Sequence, residues 1–257
     1  MTPWIVRRKP NPRAALRLLC FPYAGGGASI YRTWPEALPA DVELWAVELP
    51  GRETRAGEPP FERLGPLIAS LADATGPELA DPAEPQRAPA PFAIYGHSFG
   101  ALVGWSFARE LRRRSLPTPV HLFVSARRAP QLPDPSPMHP LPGPQFLARL
   151  RQLGGIPDAV LQEPELMAYF LPILRADIAM NDTATVALDQ PLACPITALG
   201  GLSDERASAD ELDAWRVHTA AAFDREMFAG GHFFLQTARG ELLASLARRL
   251  ARLTAAL

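Results

Sequence analysis

The stretch Phe92-Ala93-Ile94-Tyr95-Gly96-His97-Ser98-Phe99-Gly100-Ala101 restricts the folding of this chain more than any other. A short apolar run enters Gly-x-Ser-x-Gly, and a helix-like segment, Ala101 to Arg114, follows with no residues to spare for a loop. A strand, a sharp turn and a helix in direct succession strain the serine backbone. A Cβ at position 96 or 100 would collide with the neighbouring strand or helix, hence the two glycines. Such a turn holds the Ser98 hydroxyl in the open and aims the Phe99 N–H, at a helix N-terminus, at developing negative charge. Gly and Ser are common, so the pentapeptide carries weight only through its flanking strand and helix.

The rest of the chain supplies what such a turn needs, an α/β fold with a mostly parallel sheet flanked by helices. Strands are expected at Leu16 to Phe21, Val42 to Glu48, Val120 to Ser125, Pro195 to Leu199 and Phe223 to Phe228. Helical spacing marks Phe61 to Leu79, Asp210 to Trp215 and Leu242 to Leu253, with a short helix at Ile30 to Ala37. Proline-rich Asp81 to Pro91 reads as a surface connector within one domain, 1–257, because the elbow strand needs partners from both sides of it. From Gln131 the pattern changes to a proline-rich stretch and two helices, Phe146 to Leu153 and Pro164 to Met180. A helical insertion of this kind, about 131–189, sits where a single crossover would suffice and is the usual position of a lid.

Three residues with complementary chemistry each follow a strand, so they share one rim of the sheet. Ser98 is the candidate nucleophile, His232 in Gly230-Gly231-His232 the candidate base, and Asp204 after Gly200-Gly201 the carboxylate that would hold the imidazole in one tautomer. Asp189, Asp210 and Asp224 compete for the acid, but none follows a Gly-Gly turn after a strand. His97 lies inside the elbow, and His121, His139 and His218 lack a loop-after-strand setting. The glycine run after the first strand, Pro22-Tyr23-Ala24-Gly25-Gly26-Gly27, matches neither a dinucleotide fingerprint nor a P-loop. Its expected role is a second oxyanion N–H, from Ala24 or Tyr23, opposite Phe99.

Composition excludes several function classes. With 26 basic and 27 acidic residues and a net charge of −1, nothing favours bulk binding to nucleic acid or to a membrane. No run approaches transmembrane length, and Met1 to Cys20 is too interrupted for a signal peptide. Cys20 and Cys194 form neither a disulfide framework nor a metal-ligand set and read as buried thiols, which fits a cytoplasmic location.

Several motifs in order, Phe21-Pro22-Tyr23-Ala24-Gly25-Gly26, Leu49-Pro50-Gly51-Arg52-Glu53, Gly96-His97-Ser98-Phe99-Gly100, Ser125-Ala126-Arg127-Arg128-Ala129-Pro130 and Gly230-Gly231-His232-Phe233-Phe234-Leu235, resemble the type II thioesterases of polyketide and nonribosomal peptide synthesis. The likeness implies a stand-alone α/β-hydrolase with a helical lid that removes aberrant or stalled acyl units from the phosphopantetheine arm of carrier proteins. It implies Ser98, Asp204 and His232 as the triad and the backbone N–H groups of Ala24 and Phe99 as the oxyanion hole. No metal or bound cofactor is implied, since phosphopantetheine belongs to the substrate; the partner is an acyl or peptidyl carrier protein, and a monomer is plausible. Met often stands where this chain has Phe99, and Pro often follows the acid where it has Glu205.

The same triad would serve a carboxylesterase, lipase or acyltransferase, whereas a non-catalytic binding protein on this fold would be expected to lack a triad member. A cyclising thioesterase would be expected next to a carrier segment, which this sequence lacks. Two further expectations concern the entrance: that the lid helices move against the sheet, and that Arg52, Arg55, Arg127 and Arg128 offer positive charge to an acidic carrier helix.

Overall fold

Strand β4 (Phe92–His97) is buried along all six residues and occupies the middle of a seven-stranded sheet. The computed structural model describes residues 2–80, 89–155, 163–184, 186 and 188–257. Around β4 stand β1 (Ile5–Val6), β2 (Leu16–Phe21), β3 (Val42–Val47), β5 (His121–Ser125), β6 (Ile196–Gly201) and β7 (Phe223–Phe228), in the order β1-β3-β2-β4-β5-β6-β7. Every pairing is parallel except β1 with β3. The register sets Phe21 beside Gly96, His97 beside Ser125 and Gly201 beside Phe228. These strands therefore end nearly level, and the segments leaving them emerge on one edge.

Side chains alternate across the sheet with period two. Leu19, Phe21, Phe92 and Ile94 face one core with α1 (Leu64–Ala80) and α2 (Phe99–Arg113). Leu18, Cys20, Ala93, Tyr95 and Phe123 face the other. There they meet α7 (Arg239–Ala256), which follows α5 (Ala209–Asp213) and α6 (Phe234–Thr237) in the chain. Between β5 and β6, α3 (Gly143–Leu153) and α4 (Pro164–Thr183) build a third cluster of Met138, Phe146, Leu150, Leu174 and Ile178.

Several bounds differ from the sequence reading for local reasons. Strand β1 is two residues long, below any detectable alternation. The helix expected at Ile30 to Ala37 is two 3-10 turns, Ala28–Tyr31 and Pro35–Ala37, with Pro35 opening the second. Residues 81–88 of the proline-rich connector and 156–162 of the insertion lie outside the described residues. Cys20 and Cys194 are buried free thiols, and burial pushes the first well above the ordinary range and the second to about 11. Among the described residues, no helix is long and apolar enough to cross a membrane.

Candidate active site

Ser98 sits between β4 and α2 with φ 54° and ψ −117°, the strained backbone expected of the elbow. A Cβ on Gly96 would run into the Gly100 carbonyl, and one on Gly100 into the carbonyls of Phe21 and Pro22 at the end of β2. Both obstacles are backbone, so the two glycines are obligatory for the turn. The Ser98 N–H donates to the Ser125 carbonyl at 2.7 Å, which ties the turn to β5.

His232 arrives from the loop after β7. Its Nε2 lies 2.9 Å from Ser98 Oγ, and its Nδ1 lies 3.1 and 3.0 Å from the two carboxylate oxygens of Asp204. Both side chains are buried. The loops carrying them touch: a Cβ on Gly201 would strike the Gly231 and Gly230 carbonyls, while the Ser203 N–H donates to the Gly230 carbonyl at 2.9 Å. The Gly-Gly pairs thus allow the acid loop and the histidine loop to lie backbone to backbone. The Arg206 N–H donates to Asp204 Oδ1 at 2.8 Å and fixes the carboxylate plane.

The competing acids are engaged elsewhere. Asp189 is exposed and pairs with Arg109, and Asp224 pairs with Arg249. Asp210 lies in the first turn of α5. His97 points away from Ser98, with its Nδ1 2.9 Å from Ser125 Oγ and its Nε2 2.9 Å from the His232 carbonyl. A carbonyl only accepts, so Nε2 carries the proton and Nδ1 accepts from the serine. Burial, then the neighbouring His232, hold His97 well below the ordinary histidine value, so it is neutral.

Among the described residues, the N–H groups of Ala24 and Phe99 donate to no protein acceptor, whereas those of Gly25 and Gly26 do. The cleft before Ser98 is lined by Tyr23, Ala24, His232 and Phe233 on one side and by Met138, Leu150, Leu153, Leu174 and Ile178 from the insertion on the other. Its far wall carries Asp182, whose Oδ1 pairs with Arg206 at 3.2 Å and whose Oδ2 accepts the Met138 and His139 N–H groups.

The four arginines expected to offer charge at the entrance do not. Arg52, Arg55, Arg127 and Arg128 are only 2–6% exposed. Arg52 pairs with Asp177, Arg55 with Glu58, and Arg128 with Asp134 at 3.1 Å. Arg127 donates to the carbonyls of Arg128 and Asn181, and burial, then Arg128, lower it to about 10. Loops leaving a sheet beneath an insertion have many carbonyls to satisfy, and the guanidinium fork is suited to that. Asp177 escaped the sequence reading, although a carboxylate among Leu174, Ile178 and Met180 on a helix was a visible anomaly.

A family model described as the thioesterase domain matches residues 16–252. The gramicidin S biosynthesis protein GrsT of Aneurinibacillus migulanus is 40% identical over 248 residues, 96% of this chain and 93% of that protein. Among solved structures, the thioesterase RedJ of the prodiginine pathway in Streptomyces coelicolor superposes with a TM-score of 0.84 at 39% identity, covering 93% of this chain and 87% of RedJ. YbtT, a type II thioesterase of the yersiniabactin NRPS/PKS pathway, gives 0.82 at 29% identity, covering 95% and 97%. The α/β-hydrolase architecture expected from the motifs is thus shared with known thioesterases, and this chain belongs to the thioesterase domain family.

Proposed function

We propose that this protein hydrolyses acyl thioesters carried on the phosphopantetheine arm of acyl or peptidyl carrier proteins, through an acyl enzyme on Ser98. The observation that carries this reading is the unbroken chain from Ser98 Oγ through His232 to Asp204, at 2.9 and 3.0 Å, at the base of an apolar cleft. The carrier-bound substrate rests on relatives named for gramicidin S, prodiginine and yersiniabactin biosynthesis.

Ser98 Oγ attacks the thioester carbonyl while its proton passes to His232 Nε2. Asp204 holds Nδ1–H and stabilises the imidazolium without taking its proton. The oxyanion lies between the Ala24 and Phe99 N–H groups, the latter favoured by the fifteen-residue helix α2 behind it. Collapse breaks the C–S bond, and His232 returns its proton to the departing sulfur. Water, deprotonated by the same nitrogen, then cleaves the acyl-serine and releases a carboxylic acid. No step calls for a metal or a bound cofactor. The apolar lining of the cleft suits the acyl part of a thioester, and removal of misloaded or stalled units is the expected task.

Hydrolysis of a panel of acyl-phosphopantetheine thioesters, free and carrier-bound, tests the reading. Short-chain thioesters should be cleaved and their oxygen-ester counterparts cleaved more slowly; a preference for oxygen esters would make the protein a carboxylesterase.

A further inference from the structure

Gly25, Arg52 and Asp177 belong to three separate parts of the chain and meet in one buried contact. Asp177, on α4, is 1% exposed and Arg52, in the loop after β3, 2%. The guanidinium grips the carboxylate with both arms, Nη1 to Oδ2 at 2.7 Å and Nη2 to Oδ1 at 3.1 Å. Asp177 Oδ2 also accepts the Gly25 N–H at 2.8 Å. Arg52 completes the set by donating to the Gly26 carbonyl at 3.3 Å and the Pro50 carbonyl at 3.2 Å.

We propose that Arg52 and Asp177 are positioning residues that set the Ala24 N–H for the oxyanion and tie it to helix α4, a reading that rests on the thioesterase function above and deepens it. Ala24 is bracketed. The Gly25 N–H beyond it is held by Asp177, and the Tyr23 carbonyl before it accepts the Gly26 N–H at 2.9 Å. With the peptides on both sides fixed, the Ala24 N–H has little freedom left. Gly25 has φ +75°, and a Cβ there would strike the Leu174 side chain, so both the backbone angle and the close approach of α4 require glycine at this position.

Charge explains why the clamp is a pair. A lone carboxylate one residue from an oxyanion hole would oppose the negative charge that the hole must stabilise, and in a buried setting that repulsion is strong. Arg52 neutralises it while leaving the Gly25 N–H held. Two apolar side chains could pack α4 against the loop without desolvating any charge, but could not accept that N–H. Leu174 and Ile178 flank Asp177 on α4 and line the acyl cleft, so the helix that carries the clamp is also the one that faces the acyl group.

The test compares wild type with Arg52→Met, Arg52→Lys, Asp177→Asn and the double change Arg52→Met with Asp177→Leu, using a short acyl-phosphopantetheine thioester. Active sites are titrated to completion with a fluorophosphonate, so that unfolded protein is not counted. Loss of one oxyanion donor costs about 10²–10³-fold, and a misplaced donor should cost about 10–100-fold. Expected is that fall in kcat per titrated site for Arg52→Met and Asp177→Asn, with KM within about threefold, because the hole acts on the transition state. Affinity for a trifluoromethyl ketone analogue should fall in parallel. Arg52→Lys should retain more kcat than Arg52→Met, and the double variant, which has no acceptor for the Gly25 N–H, should stay at least as impaired as Asp177→Asn. A kcat per titrated site within twofold of wild type in both Arg52→Met and Asp177→Asn would overturn the proposal and leave the pair as packing alone. The thioesterase reading is tested apart from this by wild-type turnover and its loss in Ser98→Ala; a wild-type protein inert toward thioesters would overturn both.

Discussion

The His97 ring donates from Nε2 to the carbonyl oxygen of His232 across 2.9 Å, so one histidine holds the backbone of another whose own ring faces Ser98. His97 belongs to the elbow strand and His232 to the loop after β7, and this bond joins the two. Replacing His97 by Phe leaves the His232 carbonyl and Ser125 Oγ buried without their partner, at about 1–3 kcal/mol for each group left unsatisfied. Thermal stability and kcat should both fall in His97→Phe, read by calorimetry and by thioester hydrolysis. Unchanged kcat would mean that the loop places His232 without this bond.

Acid should weaken the fold through its neutral histidines. Burial is the main cause lowering His97 well below, and His121 and His218 to about 4 from, the ordinary value of 6.5. In the unfolded chain these rings take up protons as pH drops below 6.5, while in the folded chain they do not. Their contribution is therefore fully present above pH 6.5 and declines from there through about pH 4. Calorimetry should show a nearly constant Tm from pH 8 to 7 and a fall on acidification from 6.5, shallower in His121→Gln. A Tm that stays level down to pH 4.5 would contradict the buried neutral rings.

Asp204→Asn should reduce kcat by about 10⁴-fold, because an amide at that position favours the wrong His232 tautomer. Asp189→Asn, at an exposed pair with Arg109, should leave turnover close to wild type. The reverse outcome would move the acid to Asp189.

Arg128→Glu should harm carrier-bound and small-molecule thioesters alike. The side chain is 3% exposed and pairs with Asp134 while donating to the Arg206 carbonyl, beside the loop that holds Asp204. A loss confined to carrier-bound substrate would restore the docking role that its burial argues against.

Leu153→Ala should widen the cleft from the side of the insertion. Each additional methylene that the wider pocket buries is worth about 0.8 kcal/mol, so kcat/KM for longer acyl chains should rise relative to acetyl by up to about fourfold per carbon. Acyl preference identical to wild type would place the chain elsewhere.

What could be read from the sequence followed local rules. The elbow was visible because Gly96, Ser98 and Gly100 satisfy constraints within five residues, and Phe223 to Phe228 because a strand shows its own composition. His232 and Asp204 were legible through their Gly-Gly turns, which the structure explains by the contact of their two loops. The arginines differ from expectation because a charged residue on a rim loop looks the same in sequence whether it faces water or satisfies carbonyls beneath an insertion. Asp177 could be suspected from its apolar helix face, but its partner Arg52 lies 125 positions away and only the fold brings them together.

The most direct test of the central claim is steady-state hydrolysis of a short acyl-phosphopantetheinyl carrier protein by wild type and Ser98→Ala, with the matched oxygen ester alongside. Thioester cleavage faster than ester cleavage, reduced about a thousandfold or more in a Ser98→Ala protein of wild-type Tm, is the predicted result. Thioester turnover that survives in Ser98→Ala would contradict it.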